Sequence, residues 1–413
     1  MKIDRRRFIR DAGIVAVGLS FGDRLPGLGG QRVRAAGTDK VLVVVNLQGG
    51  NDGINTVVPL SQYDRYRKLR GGLAHDAADL LPLSGQPDFG LNPGMTALRD
   101  LYAQGRVAII NGVAVPHDAS GLFDHSAQQY EFQSCDVARN STTTAPTGWL
   151  GRYLDAYVGA SVPPGIDMGG GRLMLTGNVC DPMTVSSIDD LQLQTSFDSD
   201  ARLASYRNVM GIVNDNVVAE RNRQIRIETL DQSVEIRAAT ASYAPAVTYP
   251  DSYLAFSLQQ CARIIYGDIG VRALTVGIGG FDTHDSENRN AYHDTLLKEV
   301  SDSVAAFYND LAAHGLANRV LVLTMSEFGR TAYANASLGT DHGYSSVCFA
   351  VGGTVNGGVY GLYPGLDDNH LVFDGLTDIT TDFRSVYATA LANFEGVDPV
   401  AAVGGSFPIL GYV

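Results

Sequence analysis

The chain has 413 residues, 45% hydrophobic and 18% charged, a globular balance with ample length to bury a core. Its net charge of -13 argues against a nucleic-acid partner, because an acidic surface repels anionic polymers. Beyond the N-terminal segment no apolar run reaches the ~18 residues needed to span a bilayer, so no membrane span is expected in the mature chain.

The first 36 residues read as an export signal: a basic stretch (DRRRFIR), a short apolar stretch from Ile14 to Phe21, then RVRAAG as a small-residue cleavage site. Arg5-Arg6-Arg7-Phe8-Ile9-Arg10 resembles a twin-arginine signal, which implies recognition by the twin-arginine translocase and a periplasmic or secreted product. That segment carries eight Lys/Arg and three Asp/Glu, so removing its net +5 leaves the mature chain near -18. Residues 37–413 are expected to form one α/β domain.

VLVVVNL (41–47) is a continuous apolar run, as expected of a strand buried on both faces, and RVAIINGVAV (106–115) is another. Residues 185–245 are polar, with a helical pattern through Val217, Ile225, Leu230 and Val234, and read as a helical insertion. RALTVGIGG (272–280) and RVLVLTM (319–325) are two further buried strands. Between them Leu297, Val300, Val304, Phe307 and Leu311 recur at helical spacing. Strand, helix and strand at this length form a βαβ unit, hence a mainly parallel sheet with helices on both faces, a three-layer sandwich. The glycine-rich VGGTVNGGVYGLYPG suggests hairpins, and a last helix is expected over residues 382–394. The four cysteines are scattered with no CxxC pair, so a cysteine-zinc site is not expected.

Ligands of parallel sheets bind beyond the carboxyl ends of the strands. Those ends carry chemistry here. GGNDG brings Asn51 and Asp52; PHDASGLFDHSAQQ brings His117, Asp118, Ser120, Asp124, His125 and Ser126. FDTHDSE brings Asp282 and His284, SEFGR brings Ser326, Glu327 and Arg330, and GTDHG brings Asp341 and His342. Each alone also suits a polar turn or a helix cap. Together they supply carboxylate oxygen and imidazole nitrogen, the donors of zinc and related ions.

The stretches LQGGNDGINTVVPL, AQQYEF, GWLGRYL, GFDTH, LTMSEFGRT, GTDHG, VGGTVNGGVYG and TTDFRSVYA resemble the domain of unknown function family 1501, exported bacterial proteins of the alkaline phosphatase and sulfatase-like superfamily. The resemblance implies an alkaline phosphatase-like fold. By order along the chain it implies a divalent metal held by Asp52, Asp282, His284, Glu327 and His342. Asn51, Ser326 and Asp341 are expected behind them, orienting the ligands. Ser126 at a helix N-terminus, or Ser120, is the implied nucleophile, and Arg330 the implied partner of the oxyanion. Ser326-Glu327 supplies one strong donor where the superfamily has two, which leaves the ion count at two, one or none. The leading expectation is an exported metal-dependent hydrolase of a phosphate or sulfate ester, on a small anionic substrate or a polymer. The alternative is a non-catalytic exported binding protein on the same fold; an isomerase or phosphotransferase is a third class with no residue to single it out.

Overall fold

The computed structural model describes residues 40–116, 124–137, 146–159, 162–192, 199–213, 215–287, 291–372 and 375–413. The N-terminal signal and Ser120 lie outside the described residues. A nine-stranded sheet organises the chain. Its strands are β1 (Val41–Leu47), β2 (Val107–Ala114), β3 (Gly165–Met168), β4 (Met183–Thr184), β5 (Ala273–Ile278), β6 (Val320–Met325), β7 (Ser346–Gly352), β8 (Gly358–Tyr360) and β9 (Thr381–Asp382). Their order is β8-β2-β7-β6-β1-β5-β3-β4, with β9 also on β2. Only β7 runs against the rest: it pairs antiparallel with both β2 and β6, while the other pairings are parallel.

The reason β1 is apolar throughout is visible in its two faces. Val41, Val43, Val45 and Leu47 enter one core, and Leu42 and Val44 enter the other. Successive side chains of a strand point to opposite faces, so a strand between two helical layers needs apolar residues at every position. On the first side lie α3 (Thr96–Ala103), α8 (Tyr253–Tyr266) and α9 (Tyr292–Ala313). The expected stripe of α9, Leu297, Val300, Val304, Phe307 and Leu311, is buried there. On the second side lie α4 (His125–Ser134), α5 (Trp149–Leu154) and α10 (Phe383–Thr389), where Trp149 stacks on Tyr387 with centroids 4.1 Å apart. The three layers and the mainly parallel sheet expected from the sequence are therefore present.

Two expectations need correction. The glycine-rich segment after residue 350 does not form a hairpin of adjacent strands. β7 and β8 lie on opposite sides of β2, so the strand from early in the chain is wedged between them. The insertion is helical, with α6 (Ser199–Met210) and α7 (Val217–Ala239), but its apolar pattern does not mark a packed face. Val217 is 82% exposed and Val234 42%, and in α7 the buried residues are Ser233 and Ile236. The last helix runs as expected, and α10 continues into a π-helical stretch, Ala390–Glu395.

Two shorter helices complete the frame of the site: α1 (Gly53–Thr56) directly after β1, and α2 (Tyr63–Arg70).

Candidate metal centre

Gly49 and Gly50 follow β1 with φ of 120° and 85°, backbone angles that side-chain-bearing residues avoid. Space forbids a side chain as well. A Cβ on Gly49 would stand 2.3 Å from the Asp282 amide nitrogen, and one on Gly50 would stand 2.3 Å from the Phe328 ring. The two glycines let the loops after β5 and β6 close directly over the end of β1.

Arg330 welds those loops together. It is fully buried, and its guanidinium donates to the carbonyls of Gly49, Gly50 (2.8 Å), Phe281 (2.9 Å) and Thr340 (3.1 Å), and to Asp282 Oδ1 (2.7 Å). The expectation that Arg330 meets a substrate oxyanion is thereby corrected: a buried guanidinium committed to backbone carbonyls positions Asp282 instead. Arg330 also pairs with His342 in a short antiparallel ladder, which carries the last loop to the same place.

Asp282 is the centre of the cluster, with its side chain half exposed. Three imidazoles present Nε2 to its carboxylate: His284 at 3.2 Å and His342 at 3.3 Å from Oδ1, and His125 at 3.4 Å from Oδ2. His125 Nδ1 stands 3.0 Å from Oε1 of Glu327, a buried carboxylate that also accepts from the Gly49 amide at 2.8 Å. The His342 ring lies 4.6 Å from the rings of both His125 and His284, and Phe328 packs at 4.3 Å from it as an apolar floor. Donor atoms of His125, Asp282 and His342 all fall within 4.8 Å of one another.

The electrostatics suit a cation. Burial alone would raise the Asp282 carboxyl, but the hydrogen bond and charge of Arg330, aided by His342 and His284, hold it at about 2. Burial, reinforced by the Arg330 charge, pushes His342 down to about 4, which keeps its imidazole neutral. Neutral imidazole and ionised carboxylate are the ligating forms. Asp341 Oδ1 lies 3.1 Å from His284 Nδ1, the far nitrogen of that ring, a contact that holds the imidazole's orientation. Ser326 Oγ donates to the Leu47 carbonyl and accepts from the Asn51 amide, so it braces the end of β1.

Asp52 does not face this cluster. It is fully buried, caps α1 through the amides of Ile54 and Asn55, and is held by Arg70 of α2 at 2.5 Å and 2.7 Å. Burial would raise its carboxyl, yet the Arg70 charge, Glu287 and His293 bring it below the usual range. Glu287 beside it is pushed up to about 8 by burial and by the Asp52 charge. Burial lowers His293 to about 4, and its Nε2 lies 3.2 Å from Asn51 Oδ1. The expected ligand role of Asp52 is replaced by a buried ion pair, and Asn51 turns into that same network rather than behind the histidine–carboxylate cluster.

Ser126 is exposed, in the first turn of α4, where Asp124 accepts from the Ala127 amide as the cap. The residue of this turn that enters the cluster is His125. The sequence shows it in the same polar stretch, one position before Ser126, among the imidazoles at the strand ends, but the resemblance assigns it no ligand role.

The molecule is thus an α/β protein carrying a histidine–carboxylate cluster at the carboxyl edge of its sheet. It belongs to the family described as Protein of unknown function (DUF1501), which matches residues 133–401. No curated protein matches the chain in sequence. Among solved structures, the PsFucS1 sulfatase from Pseudoalteromonas sp. is similar over 87% of this chain and 68% of its own, with 11% identity and a TM-score of 0.38. A protein in the alkaline phosphatase superfamily from Vibrio parahaemolyticus is similar over 89% and 69%, with 9% identity and a TM-score of 0.38. The phosphonate monoester hydrolase of Agrobacterium radiobacter is similar over 89% and 78%, with 9% identity and a TM-score of 0.35.

Proposed function

We propose that the chain is an exported, metal-dependent hydrolase of phosphate or sulfate esters. The observation that carries the reading is the convergence of three imidazole nitrogens on the Asp282 carboxylate at the carboxyl edge of the sheet. The donor set fits a divalent ion of the zinc type: His125, Asp282 and His342 as ligands, with Glu327 and His284 at hand. Such an ion, when bound, supplies Lewis acidity toward an ester oxygen.

The residues of the chain do the rest. Arg330 fixes Asp282 in place, Asp341 fixes His284, and Glu327 fixes His125. Phe328 excludes water from one side of the histidines. His284 and Asp282 stand half exposed, so an anionic ester can reach them from solvent. For the attacking group we retain Ser126, exposed beside His125, as the protein nucleophile to be tested against a water molecule. Export through the twin-arginine translocase to the periplasm or beyond belongs to this proposal; among the described residues no helix is long and apolar enough to cross a membrane.

The test has two stages. The purified protein should contain a divalent metal by elemental analysis, and His342→Ala should lose it. It should also hydrolyse an aryl phosphate or aryl sulfate in a chelator-sensitive way. If Ser126→Ala abolishes turnover while metal is retained, the serine attacks; if turnover survives, water does. The burial of Arg330 favours the second reading, a binding protein, since it removes the arginine expected at the oxyanion. That reading stands if metal is bound but no ester is hydrolysed.

A further inference from the structure

Beside the histidine–carboxylate cluster the carboxyl edge of the sheet stays open. Gly279 and Gly280 after β5, Gln48 after β1 and Gly169 after β3 are all exposed. Gln48 ties the three strand ends together: its backbone amide donates to the Ile278 carbonyl at 2.8 Å, and its side-chain nitrogen to the Gly169 carbonyl at 3.3 Å. These residues form a low shelf that leads away from Asp282, which stands two positions after Gly280.

Two tyrosines stand on the shelf, and they are the first residues of α8 and α9. The Tyr292 hydroxyl lies over Gly280, where a Cβ would come within 2.6 Å of it. The Tyr253 hydroxyl lies 3.7 Å from the same point at Gly169. Tyr292 is 45% exposed and Tyr253 60%, and neither hydroxyl has a hydrogen-bond partner among the described residues. One turn on from Tyr253, Phe256 is 40% exposed. It joins Thr248, Tyr249, Ser252 and Gln259 in lining an open cleft of about 640 Å³. Exposed aromatic rings therefore run in series from the cluster to the cleft.

A tyrosine offers an apolar ring face and a polar tip. A sugar matches both, with a C–H face to lie on the ring and a rim of hydroxyls to meet the phenol and the Gln48 carboxamide. A nucleotide would offer one base to stack rather than a series of rings, and its phosphates would call for cations. Among the described residues, no side chain of the shelf or the cleft is a lysine or an arginine. An acyl chain would need an aliphatic trough, whereas the shelf exposes tyrosine, glycine and glutamine.

We propose that the alcohol half of the ester is a carbohydrate: the sugar bearing the ester stacks on Tyr292 beside Asp282, and the chain continues past Tyr253 toward the cleft. This assignment rests on the ester hydrolysis proposed above. Turnover would consume one water and release the free sugar hydroxyl with inorganic phosphate or sulfate.

The experiment presents the full chain, as purified and after chelation, to an array of neutral, sulfated and phosphorylated oligosaccharides, with adenosine monophosphate as a competitor. The chelated protein should bind esterified oligosaccharides, and the protein as purified should release inorganic anion from them. Tyr292→Ala and Tyr253→Ala should each weaken binding about tenfold, while Tyr292→Phe keeps the ring and most of the affinity. Both side chains are exposed, so the melting temperature of the variants should not change. Chelator-sensitive hydrolysis of an aryl ester with no binding to any oligosaccharide overturns the carbohydrate assignment and leaves the hydrolase. Oligosaccharide binding that both alanine variants retain, or that adenosine monophosphate outcompetes, overturns it as well. Tyrosine-dependent oligosaccharide binding with no anion released overturns the hydrolase instead and supports the shelf as a carbohydrate site. Neither binding nor hydrolysis overturns both.

Discussion

Two clusters of ionisable groups hang from the end of β1, and they have opposite designs. Asp282 and its three histidines sit at the surface, where the carboxylate is half exposed. Asp52, Glu287 and His293 are sealed inside, and Asp52 meets there the buried guanidinium of Arg70. A carboxylate deep in the protein must carry its own counter-charge, because water cannot supply one. Asp282 at the rim also has a buried partner, Arg330, but half of its side chain stays open to solvent, where a cation can approach. The difference separates a structural cluster from a ligand site more clearly than residue type does, since both contain Asp, Glu or His.

The largest effect should come from breaking the sealed pair. Arg70→Met should cost about 3–5 kcal/mol of stability, because it strands the Asp52 charge in the interior. Adding Asp52→Asn to it should recover part of the loss, and urea titrations of the singles and the double would show the coupling. If the two losses simply add, the pair is not the counter-charge described here.

Asp282→Asn probes the open cluster. Bound metal should fall to background in elemental analysis, and the urea midpoint should fall less than in Arg70→Met, because Arg330 keeps its carbonyl partners. Asp52→Asn should show the reverse pattern, losing stability with its metal content retained. Equal metal loss in both variants would merge the two clusters into one site.

The protonation of Glu287 sharpens the contrast. Its folded pKa, raised to about 8, means the native state holds a proton that the unfolded chain releases near the ordinary glutamate value. Its contribution is therefore full below about pH 4.5 and is lost as pH rises through about 8, with a slope of at most ~1.4 kcal/mol per pH unit. Lowered to about 4, His293 acts in the opposite sense, adding stability above its unfolded value that is lost as pH falls through about 4. Glu287→Gln should thus flatten the decline between neutral pH and pH 8 and leave the acid limb in place. Denaturation midpoints across that range would decide it.

The smallest effect is expected at Asp341, which touches the cluster through the far nitrogen of His284. Asp341→Asn should weaken metal binding by roughly 10-fold, and titration with zinc would read it.

How much of this was legible in the sequence follows the same division. The central strands could be read because burial on both faces leaves an unbroken apolar signature. Asp282, Glu327 and His342 could be read because strand ends of a parallel sheet converge, whatever the loops do. Asp52 stood at such an end too, but its partner did not. Arg70 lies in YDRYRKLR, a stretch as polar as any surface helix, and only the packing of α2 against α1 turns that arginine inward. His125 and Ser126 are adjacent at a helix N-terminus, and the local pattern does not separate a ligand from a nucleophile there; only the fold aims the imidazole at Asp282. The wedging of β2 between β7 and β8 leaves no local pattern at all, because it is a statement about order in space.

The place of β1 in that order bears on how the chain is made. Its neighbours in the sheet begin at Ala273 and Val320, so both of its edges wait for segments more than two hundred residues downstream. As the polypeptide leaves the ribosome, its most apolar strand has no partner until most of the message has been read. Nascent chains of this kind fold slowly and stay open to aggregation until the late segments arrive. Any truncation before Val320 would leave one edge of Val41–Leu47 bare, and would withhold Glu327 and His342 in the same stroke.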